Sequence, residues 1–229
     1  NIKTGSKILI MPYFDPKYFK KKEKVNRVVT RKLKNKLIAW ELDKQYYDGD
    51  RNNGYGGFSY DGRWLNLLPK FIKRYNLNNN SKILDLGCKK GFIMKDLKIL
   101  LPKAKVYGIE DHLYPIKNAE KEIKKNIIFN NYYQIPFKKN YFDLVIGFSS
   151  IYKYNFIDVV KTIREINRVS KNSFFTVASY SNKREKELFD KWTLLGTTIL
   201  EKKEWIQLFK ILNYKGDYYF TTAKSLNLY

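Results

Sequence analysis

Cysteine and histidine are almost missing from this chain: one of each, Cys88 and His112, in 229 residues. A single cysteine excludes an internal disulfide framework and a cysteine-rich zinc site. A single histidine leaves no histidine-based cluster, so no metal is expected. Long apolar runs are missing as well. No stretch approaches the roughly 20 residues that a membrane-spanning helix needs, and residues 7–11 (KILIM) are too short for the apolar core of a signal peptide. The chain is expected to be soluble, cytoplasmic and without a membrane span.

Arginine is scarce too, at eight of the 45 basic residues. A net charge of +23 would ordinarily suggest a nucleic-acid partner. Here the charge is carried by lysine, alongside abundant Asn, Ile, Tyr and Phe, a mixture like the drift of an AT-rich genome. It is dispersed apart from residues 20–24 and 31–36. Phosphate recognition that fixes geometry favours the forked arginine donor. Nucleic acid is therefore not the expected partner. What the chain does have is 44% hydrophobic and 17% aromatic residues, with length for one α/β domain and its core but not for two.

The stretch that organises the rest is 81–97, SKILDLGCKKGFIMKDL. Ile83, Leu84 and Leu86 read as a buried parallel strand. Gly87 and Gly91 bracket a turn, and Phe92, Ile93, Leu97 and Leu100 follow at helical spacing. A strand turning through glycines into a helix presents backbone N–H groups and a helix N-terminus to a ligand. Asp85, near the strand end, can accept a hydrogen bond there. A second strand, Lys105–Glu110, ends in an acid 25 residues after Asp85, near the distance at which open α/β nucleotide sites place a carboxylate on ribose hydroxyls. Asp111 is the fallback for Glu110. His112 reads as a partly exposed loop residue.

Residues 81–97 resemble motif I of class I S-adenosylmethionine-dependent methyltransferases, D/E-x-G-x-G-x-G, at Asp85, Gly87 and Gly91. Lys89 stands where the family has its middle glycine, a replacement that fits with an ordinary φ and a side chain in solvent. Upstream, residues 47–64 (YDGDRNNGYGGFSYDGRW) resemble the G-Y-G-G-Y/F-x-Y-D-G-R-W signature of a small bacterial subgroup of that family. A loop this rich in glycine and aromatics folds over something, and it is expected to be a lid over cofactor or acceptor, with Arg63 reaching an anionic group.

The resemblance implies an α/β, Rossmann-like fold with a mostly parallel central sheet, an antiparallel last strand and helices on both faces. It implies S-adenosyl-L-methionine as cofactor and S-adenosyl-L-homocysteine as product. Asp85, Gly87 and Gly91, with Cys88 and Phe92 of the same turn, would face the methionine portion. Glu110 or Asp111 would take the ribose. Asn131, through its side-chain carbonyl, and Tyr132 would take the adenine. Phe148 lies at the mouth of the fourth strand, and Tyr55 in the lid. Tyr60, Arg63 and Tyr152 would line the acceptor side and serve catalysis. Related proteins often carry a histidine near Tyr152, and a tyrosine with a reference pKa near 10 is a poor base. Catalysis would then rest on alignment of an already activated sulfonium.

Residues 1–45 read as an N-terminal arm and helix, and 46–229 as the methyltransferase domain with its lid at 46–64. Running just past that boundary, 30–47 reads as a helix whose Leu33, Leu37, Ile38, Trp40 and Leu42 form a stripe that must pack. Further helices are expected over 65–75, 116–125, 156–169, 183–192 and 201–212. Strands are expected over 127–129, 141–147, 173–179, 193–200 and 217–223. The acceptor is expected to be a small molecule, a sugar or other metabolite methylated on oxygen. Alternatives are a binding protein of the same shape that lost turnover, suggested by Lys89, and a nucleic-acid methyltransferase, suggested by the charge. The latter lacks the Asn/Asp-Pro-Pro-Tyr/Phe run of many such enzymes.

Overall fold

A computed structural model describes residues 30–228; the expected arm over residues 1–28 lies outside them. The apolar run of the first strand, β1 (Lys82–Leu86), is buried on both faces, as the centre of a parallel sheet requires. Ile83 packs on one side with Phe71, Ile93, Met94 and Leu97. Leu84 and Leu86 pack on the other with Val159, Ile163, Ile166 and Trp205.

Around β1 run β2 (Lys105–Glu110), β3 (Ile127–Phe129), β4 (Leu144–Gly147), β5 (Ser173–Tyr180), β6 (Leu200–Glu201) and β7 (Asp217–Thr221). The order is β3-β2-β1-β4-β5-β6, with β7 also paired to β5. The helices are α1 (Leu33–Trp40), α2 (Lys44–Tyr47), α3 (Leu68–Arg74), α4 (Phe92–Leu100), α5 (Leu113–Lys117), α6 (Lys121–Lys124), α7 (Phe156–Val169), α8 (Lys183–Trp192) and α9 (Lys202–Ile211). Helices α3 and α4 cover one face, α7 and α9 the other. Asn155 and Asn182 start α7 and α8 by accepting the backbone N–H of Asp158 and Glu185, both at 3.0 Å.

Three expectations are corrected. The last strand is parallel: β7 pairs with β5 from Phe174↔Asp217 to Ala178↔Thr221 in the same direction. The reason is α9. A ten-residue helix between β6 and β7 returns the chain to the starting end of the sheet, the crossover that parallel strands need. Residues 193–200 are not a strand apart from the start of β6. Their backbone N–H groups at Thr197 and Thr198 are spent on the Tyr152 carbonyl (2.9 and 3.0 Å). Finally, the helix over 30–47 breaks at Leu42, whose φ is +49, and Asp43 starts α2 by accepting the Gln45 N–H. Leu33, Leu37 and Trp40 stay 73%, 63% and 46% exposed; Ala39 and Leu42 do the packing.

Candidate active site

The sheet order reverses between β1 and β4, the place where open α/β sheets leave a crevice beyond the strand ends. Gly87 follows β1, Glu110 ends β2, and Ser149 and Ser150 follow β4. These four, with Leu42, Tyr46, Tyr47, Lys89, Tyr132, Tyr152, Lys153 and Leu195, line one cleft. Its enclosed space is about 20 Å³, room for roughly one water molecule.

Glycine is required at the corner. Gly87 has φ +78, and a Cβ there would lie 2.7 Å from the Ser150 Cβ and 3.1 Å from the Tyr132 hydroxyl. Gly91, at φ +79, starts α4, and its Cβ would collide with Ile123. The corner's N–H groups are less bare than expected: Gly87 and Cys88 both donate to the Ile109 carbonyl (2.8 and 3.2 Å). Lys89 is also unlike its expectation. Its φ is +55 and its ammonium turns inward, donating to the carbonyls of Gly87 (3.2 Å) and Phe148 (3.3 Å).

Two carboxylates meet at this corner. Asp85 is 1% exposed and its Oδ2 has no hydrogen-bond partner. Burial raises its pKa to about 7, with Glu110 adding to the rise and Lys89 opposing it. Glu110, also 1% exposed, accepts the Lys89 N–H at Oε2 (2.9 Å) and the Asp111 N–H at Oε1 (3.1 Å). Asp111 is fully engaged. It accepts from the Lys153 ammonium (2.5 Å), the Tyr154 hydroxyl (2.6 Å) and the Tyr132 hydroxyl (3.2 Å), and its Oδ1 lies 2.7 Å from the His112 Nδ1. Burial alone would raise its pKa, but His112, Lys153 and Tyr154 hold it far below the usual carboxylate range.

Glu110, Asp111 and His112 bring ligand atoms within 4.8 Å of one another, a grouping the single histidine did not suggest. The Lys153 ammonium already supplies the cation there, reaching Asp111 and lying 3.4 Å from the histidine ring nitrogen.

Of the residues expected to serve the site, Gly87, Glu110, Tyr132 and Tyr152 line the cleft. Burial raises the Tyr152 pKa well above the ordinary value, so it stays a neutral phenol. Tyr132 is buried, and its N–H donates to the Tyr154 hydroxyl (3.3 Å). Asn131 lies beside the cleft lining in sequence, and its Oδ1 has no partner. Cys88 and Phe148 pack in the core shared with α3 and α4. The Phe92 ring meets Phe58 (4.7 Å between centroids), and Tyr55 meets Tyr46 and Phe58 (5.3 and 4.3 Å).

Tyr60 and Arg63 point elsewhere. The Tyr60 hydroxyl donates to Asp96 (2.5 Å) on α4, and Arg63 forks onto neighbouring Asp61 (Nε to both oxygens at 2.9 Å). The loop itself is attached beside the corner. The Lys90 ammonium holds both Asp48 oxygens (2.7 and 2.8 Å) and the Phe58 carbonyl (2.9 Å). Ser149 and Ser150 belong to the mouth of the fourth strand, where open α/β sheets put ligands, whereas Tyr46, Tyr47, Lys153 and Leu195 had no local signal. Only their neighbourhood to glycine- or aromatic-rich stretches could have pointed to them.

Residues 77–216 match a family model described as a methyltransferase domain. The chain is similar to the malonyl-[acyl-carrier protein] O-methyltransferase of Legionella pneumophila, 34% identical over 92 residues. That match takes in 38% of this chain and 32% of the relative, so the chain spans about a third of that protein. Among solved structures, it resembles the complex between the Trm112 methyltransferase activator and a putative methyltransferase of Haloferax volcanii. There the TM-score is 0.55 at 16% identity, over 76% of this chain and 74% of that one. A putative methyltransferase of Bacillus halodurans follows, with TM-score 0.51 and 17% identity over 64% and 68%. At such identities the likeness is one of fold. The family model, by contrast, takes in the corner, both carboxylates and the strands that carry them, well over half of the sequence, and by that match the chain belongs to the methyltransferase-domain family.

Proposed function

We propose that this chain is a methyltransferase that uses S-adenosyl-L-methionine to methylate an oxygen of a small acceptor, a sugar or another metabolite. The observation that carries the reading is the Asp85 carboxylate, buried beside the cleft with Oδ2 unpartnered. A buried polar atom without a partner is costly, and a ligand with donors or positive charge relieves it. The acceptor atoms suit it: Asp85 and Gly87 would face the amino-acid end, Glu110 the ribose hydroxyls, and the unpartnered Asn131 carbonyl, with Tyr132, the adenine. When bound, the cofactor supplies an activated methyl group on a sulfonium. The chain's part is to hold acceptor and donor in line and keep water out.

With about 20 Å³ enclosed, the cleft must open for ligand, and the mobile part would be the segment 42–60 that carries Leu42, Tyr46 and Tyr47 over it. Tyr152, a neutral phenol on this side, would hydrogen-bond the acceptor rather than deprotonate it. The O-methylation named for the Legionella relative agrees with an oxygen acceptor. Residues 54–64, which resemble the glycine–tyrosine signature of a small bacterial subgroup, would place the chain there.

Isothermal titration tests the donor. Heat of binding with S-adenosyl-L-methionine and S-adenosyl-L-homocysteine, and a raised melting temperature in their presence, are expected. Absence of both at millimolar ligand would refute it.

A further inference from the structure

Lys89 is the side chain the cleft would not need if it were only lined for a ligand. Its backbone holds φ +55, a region non-glycine residues rarely occupy. From there its ammonium reaches the carbonyl oxygens of Gly87 and Phe148 at 3.2 and 3.3 Å. One carbonyl follows β1 and the other follows β4, so the ammonium bridges the crevice where the sheet order reverses. Asp85, with its unpartnered Oδ2, stands at the end of the same strand.

Two carbonyls within hydrogen-bond reach of one point, with a carboxylate near enough to be felt as charge, suit a primary ammonium, which has three donors and no acceptor. Burial works against the charge of Lys89, but Tyr55, Glu110 and Asp85 around it more than offset that. The group therefore stays cationic where a solvated lysine would have had water.

We propose that the Lys89 side chain fills a primary-ammonium subsite formed by the Gly87 and Phe148 carbonyls beside Asp85, and that it is displaced when the amino-acid end of the methyl donor binds. This rests on the S-adenosyl-L-methionine reading above. The lysine is then a tethered competitor. Apparent affinity is the intrinsic affinity reduced by the fraction of molecules in which the side chain has swung out. The reduction applies to ligands that bring their own ammonium and not to those that end at the sulfur.

The test compares the full chain with Lys89→Ala and Lys89→Asn, the second because asparagine tolerates a positive φ. Melting curves establish that each variant is folded. Titration uses S-adenosyl-L-homocysteine, which carries the ammonium, and 5′-methylthioadenosine, which lacks it. Both variants are expected to bind S-adenosyl-L-homocysteine at least about ten-fold more tightly than the parent, with methylthioadenosine changed by less than about three-fold. Equal S-adenosyl-L-homocysteine affinity in parent and variants overturns the proposal and leaves the donor reading standing. So does an equal gain for both ligands, which would mean a merely roomier cleft. No binding of either ligand to any folded variant overturns the donor reading itself, and this proposal with it.

Discussion

A buried carboxylate without a partner destabilises the fold far more when it is charged than when it is protonated, and this makes Asp85 visible in stability measurements. Its folded-state pKa of about 7 lies above the ordinary 3.8. Between those values the folded chain holds a proton that the unfolded chain has released, so stability falls as pH rises across the window. The full difference, about three pKa units, corresponds to roughly 4 kcal/mol. Asp85→Asn removes the titration. Its amide has its own cost, but that cost does not vary with pH. Urea unfolding at pH 4 and pH 8 should therefore show the variant gaining on the parent by a few kcal/mol across the interval. A constant difference between the two proteins would mean that Asp85 titrates as an ordinary carboxylate. The same residue was readable from the sequence, because a strand-end acid before a glycine turn is a local pattern. Lys89 was readable as a replacement but not in its direction. Whether a side chain turns inward depends on Phe148 and Glu110, which reach the corner from distant parts of the chain.

Elements that bury a periodic face were legible, and those held by side-chain latches were not. Helix α7 and strand β2 follow their apolar spacing to the residue. The segment 193–200 has the composition of a strand, yet its N–H groups go to the Tyr152 carbonyl, a partner no local pattern announces. The stretch 48–60 is the clearest latch. It is pinned by Lys90 to Asp48 and the Phe58 carbonyl, by Tyr114 to Asp48 (2.7 Å), and by Tyr60 to Asp96. Within it Tyr60, and just past it Arg63, serve the loop's own attachment. Lys90→Met keeps the stem and removes the charge. Losing one charge-assisted cluster should cost about 1–3 kcal/mol locally. Amide exchange over 48–60 should then accelerate by one to two orders of magnitude, with β1 and β4 unchanged. Unaltered exchange in that stretch would show that the aromatic contacts hold the loop without the latch.

At the scale of the molecule, strength and chemistry sit at opposite ends of one sheet. The cleft lies beyond the C-terminal ends of β1, β2 and β4. At the other end, Asp217 opens β7 opposite Phe174, which lies near the start of β5. Arg74, the last residue of α3, forks onto it through Nε and Nη2 (2.6 and 2.7 Å), and the Tyr75 hydroxyl adds a third bond (2.7 Å). Hydrogen bonding to Asp217 raises the Arg74 pKa; burial, then Asp217, raises that of Tyr75, so neither group loses its proton near neutrality. This clamp joins a helix that precedes the first strand to the last strand, 143 residues away for Arg74. It is worth more than an exposed ion pair because Asp217 is largely covered and the geometry is bidentate. Asp217→Asn preserves the shape and removes the charge. A loss of about 1.5–3 kcal/mol is expected, read as a lower urea midpoint with an unchanged slope. Because the clamp lies a strand's length from Gly87 and Glu110, ligand affinity measured on the folded variant should stay at the parent value. A parallel fall in affinity would show that the cleft depends on how firmly the far end of the sheet is closed.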